Sequence, residues 1–240
     1  MRMLHGHISR DGFRLRGTEA SRIDGFSDVV FGFALTLLVV SLEVPHSFEE
    51  LNRSLRDFVP FAICFLLLLQ IWYSHYTFFR LYGLHDRVTI ALNTALLFVV
   101  LYYVYPMKFL FTVITNGWLR HDAAAFGTDA QMRGLMLLYG VGFAAIFFLF
   151  TALYSNAARY AEALELTPQE RFLTRSAIVR YALIASVGVI SCIAALALPV
   201  QHVGRSGWVY LLLIPMKRGH FFWARWRLKR LQPGGRTVTV

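Results

Sequence analysis

The chain has 240 residues, 57% hydrophobic and only 16% charged, where a soluble domain carries roughly 25% charged residues; the shortfall points to a chain solvated by lipid. Its formal net charge of +10 sits between and beyond the apolar runs, a distribution that excludes nucleic acid as the expected partner. Cys64 and Cys192 both lie inside apolar runs, which leaves neither a disulfide framework nor a metal-ligand spacing, so no metal or other cofactor is expected.

Taken in chain order, residues 1–24 hold Arg2, Arg10, Arg14, Arg16 and Arg22 without a continuous apolar core, which argues against a cleavable signal peptide. They read as a basic cytoplasmic tail. Charge-free stretches follow at 29–42, 58–79, 88–107, 134–158 and 181–204, and most reach the ~20 residues that a helix needs to cross ~30 Å of hydrocarbon. The first becomes a full span over 25–44 if Asp28 is tolerated. A sixth stretch, 206–216, is about half a span before Lys217 and Arg218.

The basic residues decide the sixth span. Of the 24 basic residues, 18 fall at the two ends of the chain and in the connections between spans two and three and between four and five, and an excess of Lys and Arg marks the cytoplasmic side. Five spans would put the basic C-terminal end outside. Six put both termini in the cytoplasm, with helix six lengthened toward His220 by snorkelling of Lys217 and Arg218, and Trp223 and Trp226 at the inner interface. The expected fold is therefore an all-α membrane protein of six transmembrane helices over 25–223, followed by a basic cytoplasmic tail over 224–240. The opposite side carries Glu43, Glu49, Glu50, Asp57, Asp122 and Asp129 in short connections, an acidic rim. Pro45, Pro60, Pro106, Pro199 and Pro215 fall mostly near predicted helix ends, where a missing N–H is cheapest.

With helix one running outward and helix two returning, Asp28 and His75 share a depth one turn inside the cytoplasmic boundary, and Asn93 on helix three reaches the same level; Trp72 lies one turn above His75 on the same face. A carboxylate in a membrane helix costs roughly 2.5–3.5 kcal/mol at the centre and less near the edge, so Asp28 calls for a partner; Arg22, His75 and Asn93 are the candidates. A catalytic triad of Ser27, His75 and Asp28 is disfavoured because adjacent helix positions point about 100° apart. No enzyme motif occurs elsewhere.

The segment from Arg22 through Phe26, Ser27 and Asp28 resembles the Arg-x-x-x-Phe-Ser-Asp signature that opens helix one of the transmembrane protein 175 family of potassium channels. Trp72-Tyr73-Ser74-His75 resembles its Trp-x-x-His on helix two, and Asn93 with Pro106 fits helix three, so the resemblance spans about residues 22 to 107. It implies a potassium-favouring cation channel of the plasma membrane, with potassium ions and lipid as partners, in which helix one lines a central pore. Carried over position by position, it implies a narrow apolar ring at Phe33, a hydroxyl layer at Thr36 and further apolar layers at Leu37 and Val40. Those positions share one helical stripe. The constriction position is usually isoleucine or leucine in the family and is the bulkier phenylalanine here. No Thr-Val-Gly-Tyr-Gly sequence, the carbonyl filter of ordinary potassium channels, occurs in the chain.

The signature occurs once, so the chain resembles the prokaryotic members with a single six-helix repeat, which implies a homotetramer around a shared axis. Gly32 and Thr36 would let helix one approach its neighbours closely, and Ala182, Ala185, Ser186 and Gly188 would do the same for helix five. The alternatives are a secondary transporter, against which the charge-free helices four and five argue, and a non-conducting structural membrane protein.

Overall fold

A computed structural model describes residues 12–19, 21–40, 46–49, 58–119 and 129–231. The basic residues Arg2 and Arg10, the acidic residues Glu43, Glu50, Asp57 and Asp122, Pro45 and the last nine residues lie outside them. Every long element among the described residues is helical: α1 (Arg22–Val40), α2 (Phe58–Tyr82), α3 (Arg87–Leu119), α4 (Asp129–Arg159), α5 (Pro168–Ala197), a 3-10 segment (Val200–Leu212) and α6 (Leu213–Leu231). The five helices α1 to α5 contain stretches long and apolar enough to cross a membrane.

Local chemistry sets the helix ends. Ser21 and Asp24 cap α1 reciprocally: the Ser21 hydroxyl accepts from the Asp24 N–H (3.2 Å) and the Asp24 carboxylate accepts from the Ser21 N–H (3.0 Å). Asp86 starts α3 by accepting from the N–H groups of Val88 (3.1 Å) and Thr89 (3.3 Å). Thr167 and Glu170 form a second capping box with Pro168 in the first turn, so α5 begins 13 residues before its charge-free stretch. Its end is set by Leu198, extended at φ −75°, ψ 144° before Pro199. Pro106, expected near a helix end, instead lies inside α3, and the carbonyl of Pro106 accepts a hydrogen bond from the Tyr139 hydroxyl.

α1 packs on α2 and α3, α4 lies along α5, and α3 joins the two groups by packing on α4. The α4–α5 crossing is backbone against backbone, since a Cβ on Gly188 would stand 2.8 Å from the Gly140 carbonyl oxygen. Gly32, assigned a close approach by the sequence, has open space around it within the subunit. At one end of the molecule Tyr82, Tyr154 and Tyr181 pack ring against ring through α2, α4 and α5, Tyr82 edge-on to Tyr154 at 5.6 Å between centroids and Tyr154 tilted on Tyr181 at 5.2 Å. The Tyr82 hydroxyl meets the Thr174 hydroxyl at 2.7 Å.

The last element returns along α5. The Ser191 hydroxyl donates to the Ser206 carbonyl (3.3 Å), while Phe172, near the start of α5, packs on Trp223 at 5.8 Å. Residues 12–19 reach that same end from the other direction, because the Arg16 guanidinium binds Glu170 (3.0 Å), two residues before Phe172. The N-terminal segment and the distal part of α6 thus share one end of the subunit, called here the strap end. The 13 residues of the 3-10 segment rise about 26 Å at ~2.0 Å each, against about 20 Å for an α-helix.

Candidate functional site

α1 has two faces of opposite character. Ser27, Phe31, Ala34 and Leu38 turn inward and are buried against α2 and α3. Phe26, Val29, Phe33, Thr36 and Val40 occupy the outward face, with Phe33 56% and Val40 70% exposed within the subunit; Leu37 is half-buried at its edge. From Phe26 to Val40 this stripe is apolar except for Thr36, whose hydroxyl donates to the Gly32 carbonyl at 3.0 Å. That bond consumes the proton and leaves the oxygen's remaining acceptor capacity directed away from its own helix.

Behind this face runs a buried chain of hydrogen bonds. The Asn93 side-chain amide donates to the Ser27 hydroxyl (2.9 Å), which donates to the Ile23 carbonyl (2.8 Å). With the Asn93 nitrogen committed to Ser27, its oxygen faces His75, and His75 Nε2 donates to it at 2.8 Å. Ser27, His75 and Asn93 are at most 2% exposed, and the imidazole is enclosed by Phe31 and Phe79 at centroid distances of 5.5 and 4.7 Å. Three helices are fastened by this chain of buried hydrogen bonds.

Asp28 stands apart from this chain. Its carboxylate accepts from the Trp72 indole N–H at 2.8 Å, so its observed partner is Trp72 and none of the expected Arg22, His75 or Asn93. The reason is helical geometry: Ser27 and Asp28 project about 100° apart, so only one can face α3, and the smaller Ser27 does. Trp72 also stacks on Tyr76 at 5.6 Å, while Arg22 is exposed at the first position of α1. A Ser-His-Asp triad is not formed, since His75 reaches Asn93 and Asp28 reaches Trp72. Asp24 and Glu170 were missed by the span count, although the Ser21-x-x-Asp24 and Thr167-x-x-Glu170 spacings are capping-box signals readable in the sequence.

These features define a helical membrane protein whose first helix is fastened to the second and third by a buried polar chain and keeps its opposite, mostly apolar face outside the subunit core. The family model described as "Endosomal/lysosomal potassium channel TMEM175" matches residues 22–106. A potassium channel of Marivirga tractuosa is 43% identical over 215 residues, covering 85% of this chain and 87% of that protein, and one of Streptomyces collinus is 27% identical over 139 residues, covering 55% and 65%. A crystal structure of a variant of the potassium channel MtTMEM175, bound to a nanobody-MBP fusion, superposes with a TM-score of 0.81 at 39% identity, covering 93% of this chain and all of that one. The chain belongs to the TMEM175 family.

Proposed function

We propose that the chain is one subunit of a homotetrameric, potassium-favouring cation channel in which α1 lines the central pore. The observation that carries this reading is the outward face of α1. Phe33, Thr36 and Val40 are exposed in the subunit on the helix that opens with the family signature, and the relatives are named potassium channels. Four Phe33 rings around one axis would form a hydrophobic constriction that excludes ions until it is widened or wetted. A ring of Thr36 oxygens above it would replace part of the hydration shell, with Leu37 and Val40 as further apolar layers. Selectivity then arises without a carbonyl filter. Ser27, His75 and Asn93 hold α1 against α2 and α3, Asp28 with Trp72 and the remaining signature residues Arg22 and Phe26 complete the family motif, and none of them performs covalent chemistry.

In this reading residues 25–223 form a six-helix channel domain flanked by basic segments 1–24 and 224–240, in the plasma membrane of a prokaryote, with the strap end in the cytoplasm. The sixth crossing is supported by the return of the chain along α5 and by the greater rise of the 3-10 segment.

Purified protein in liposomes tests the reading. Potassium-driven flux should exceed sodium-driven flux. Phe33→Ala should raise cation flux and weaken discrimination, whereas Thr36→Val should lower potassium preference without opening the constriction. Unchanged flux and ion preference in both variants, as tetramers of normal stability, would remove α1 from the ion path.

A further inference from the structure

The feature that neither the family motif nor the pore stripe accounts for is the strap, residues 12–19, and the carboxylate that receives it. Glu170 is fully buried. One of its oxygens, Oε2, completes the α5 cap by accepting from the Thr167 N–H (2.9 Å), and it also accepts from the Arg16 guanidinium at 3.0 Å. The other, Oε1, accepts from the Arg14 backbone N–H at 2.8 Å and from Arg16 at 3.3 Å. Arg16 further donates to the Leu164 carbonyl (3.0 Å) in the α4–α5 connection. A helix cap requires only the first of these contacts. The rest serve the strap.

The strap is equally fixed on its α2 side. The N–H groups of Arg16 and Gly17 donate to the Arg80 carbonyl at 3.2 and 3.1 Å. The backbones meet so closely that a Cβ on Gly17 would lie 2.3 Å from the Phe79 carbonyl oxygen. Phe13 is 3% exposed and meets Tyr82 edge-on at 5.4 Å. Only residues 18–21 separate this clasp from the first residue of α1. α1 itself packs on α2 and α3, so the strap adds a direct connection from α1 to α5 and to the α4–α5 connection.

We propose that Glu170 is a positioning residue for conduction: by clasping the strap it tethers the strap end of α1 to α5 and restrains the movement of α1 that widens the constriction at Phe33. The proposal rests on α1 lining the pore. A tether across a moving joint favours the unmoved state, so its release raises the fraction of time the channel is open and leaves the open pore itself unaltered.

Single-channel recording in planar bilayers with symmetric potassium chloride tests this, using the full chain as parent, Glu170→Gln, Phe13→Ala, Phe13→Leu and Phe33→Ala. Glutamine keeps the capping box while removing the charge that holds Arg16, and Phe13→Ala loosens the strap by removing its apolar anchor without stranding a buried charge. Both should raise open probability roughly fivefold or more, in the range of a modest coupling between sites, at unchanged unitary conductance; Phe13→Leu, which restores the apolar anchor, should behave like the parent. A purely structural role would reduce the number of active channels and leave open probability per channel where it was, and that result overturns the proposal. If Glu170→Gln does not assemble, Phe13→Ala decides by the same criterion. A changed conductance in Phe33→Ala alongside unchanged strap variants sinks the tether alone; an unchanged conductance in Phe33→Ala sinks the pore reading and the tether with it.

Discussion

At the scale of single residues, a buried polar group is worth most through what its removal leaves behind. Replacing His75 by leucine leaves the Asn93 side-chain oxygen without its donor in a site at most 2% exposed. An orphaned buried acceptor costs about 1–3 kcal/mol, so His75→Leu should lower the melting temperature of the detergent-solubilised protein while leaving ion preference near the parent's. A shift of ion preference at unchanged melting temperature would move His75 into the ion path. Asp86 lies outside the membrane helices and responds to pH. Burial raises its carboxyl affinity for protons, but hydrogen bonds from the Thr89 hydroxyl and N–H, the Asn156 amide and the Val88 N–H outweigh burial and hold it below its ordinary value. Its contribution is therefore present above the ordinary carboxyl range and is lost as pH falls through the lowered folded-state value. Asp86→Ala should cost about 1 kcal/mol at neutral pH, as loss of a helix cap does, and thermal melts should show the gap to the parent closing on acidification. A gap that stayed constant to the lowest pH would rule out the ionised cap as its source. Depth and residue type made Asp28, His75 and Asn93 legible in the sequence, whereas Ser27 stood out as part of the signature and its bond to Asn93 did not. Which of the adjacent Ser27 and Asp28 faces α3 depends on the rotation of α1 about its axis, which hydropathy leaves open because α1 is apolar nearly all round.

At the scale of elements, the charge-free stretches mark where lipid begins and ends, and helices continue beyond that boundary. α5 starts at Pro168 because Thr167 and Glu170 cap it, although Arg171, Arg175 and Arg180 keep its first turns out of the charge-free stretch. α3 extends 12 residues past Met107, through Pro106, to Leu119. The capping spacings were readable as local chemistry, whereas the 3-10 geometry of Val200–Leu212 has no comparable signature and was counted at α-helical rise. Small residues separate in the same way, since Gly32 and Gly188 look alike in the sequence and differ only in what packs beside them. A Cβ on Gly188 would stand 2.8 Å from the Gly140 oxygen and 3.0 Å from the Ala144 nitrogen, backbone atoms that cannot swing aside, while one on Gly32 meets nothing within 4 Å. Gly188→Ala should therefore destabilise the subunit by about 1–3 kcal/mol through overpacking, against the ~1 kcal/mol that alanine gains in helix propensity. Gly32→Ala should leave the subunit's own packing intact. Thermal unfolding of the two variants side by side checks this, and equal melting temperatures would mean that the α4–α5 crossing has room to spare.

At the scale of the whole molecule, the arrangement of the strap and the distal part of α6 follows from two contacts far apart in sequence, Arg16 with Glu170 and Phe172 with Trp223. The first brings the N-terminal strap to the start of α5, and the second brings the distal part of α6 to the same place. If the proposed six crossings hold, the strap and the distal part of α6 lie on one side of the membrane, in keeping with the excess of basic residues at both ends. The 3-10 segment begins at the opposite end, where Gly204 and Arg205 are exposed. On a background lacking Cys64 and Cys192, a cysteine replacing Gly204 should react with an impermeant maleimide added outside intact cells, since a side chain there meets nothing within 4 Å. Cysteines replacing Thr18 on the strap or Arg227 on α6, both exposed positions, should react only after the membrane is permeabilised. Labelling of Arg227→Cys from outside, with Thr18→Cys still protected, would mean five crossings. The strap and α6 would then lie on opposite sides of the bilayer, and the six-crossing topology proposed above would fail.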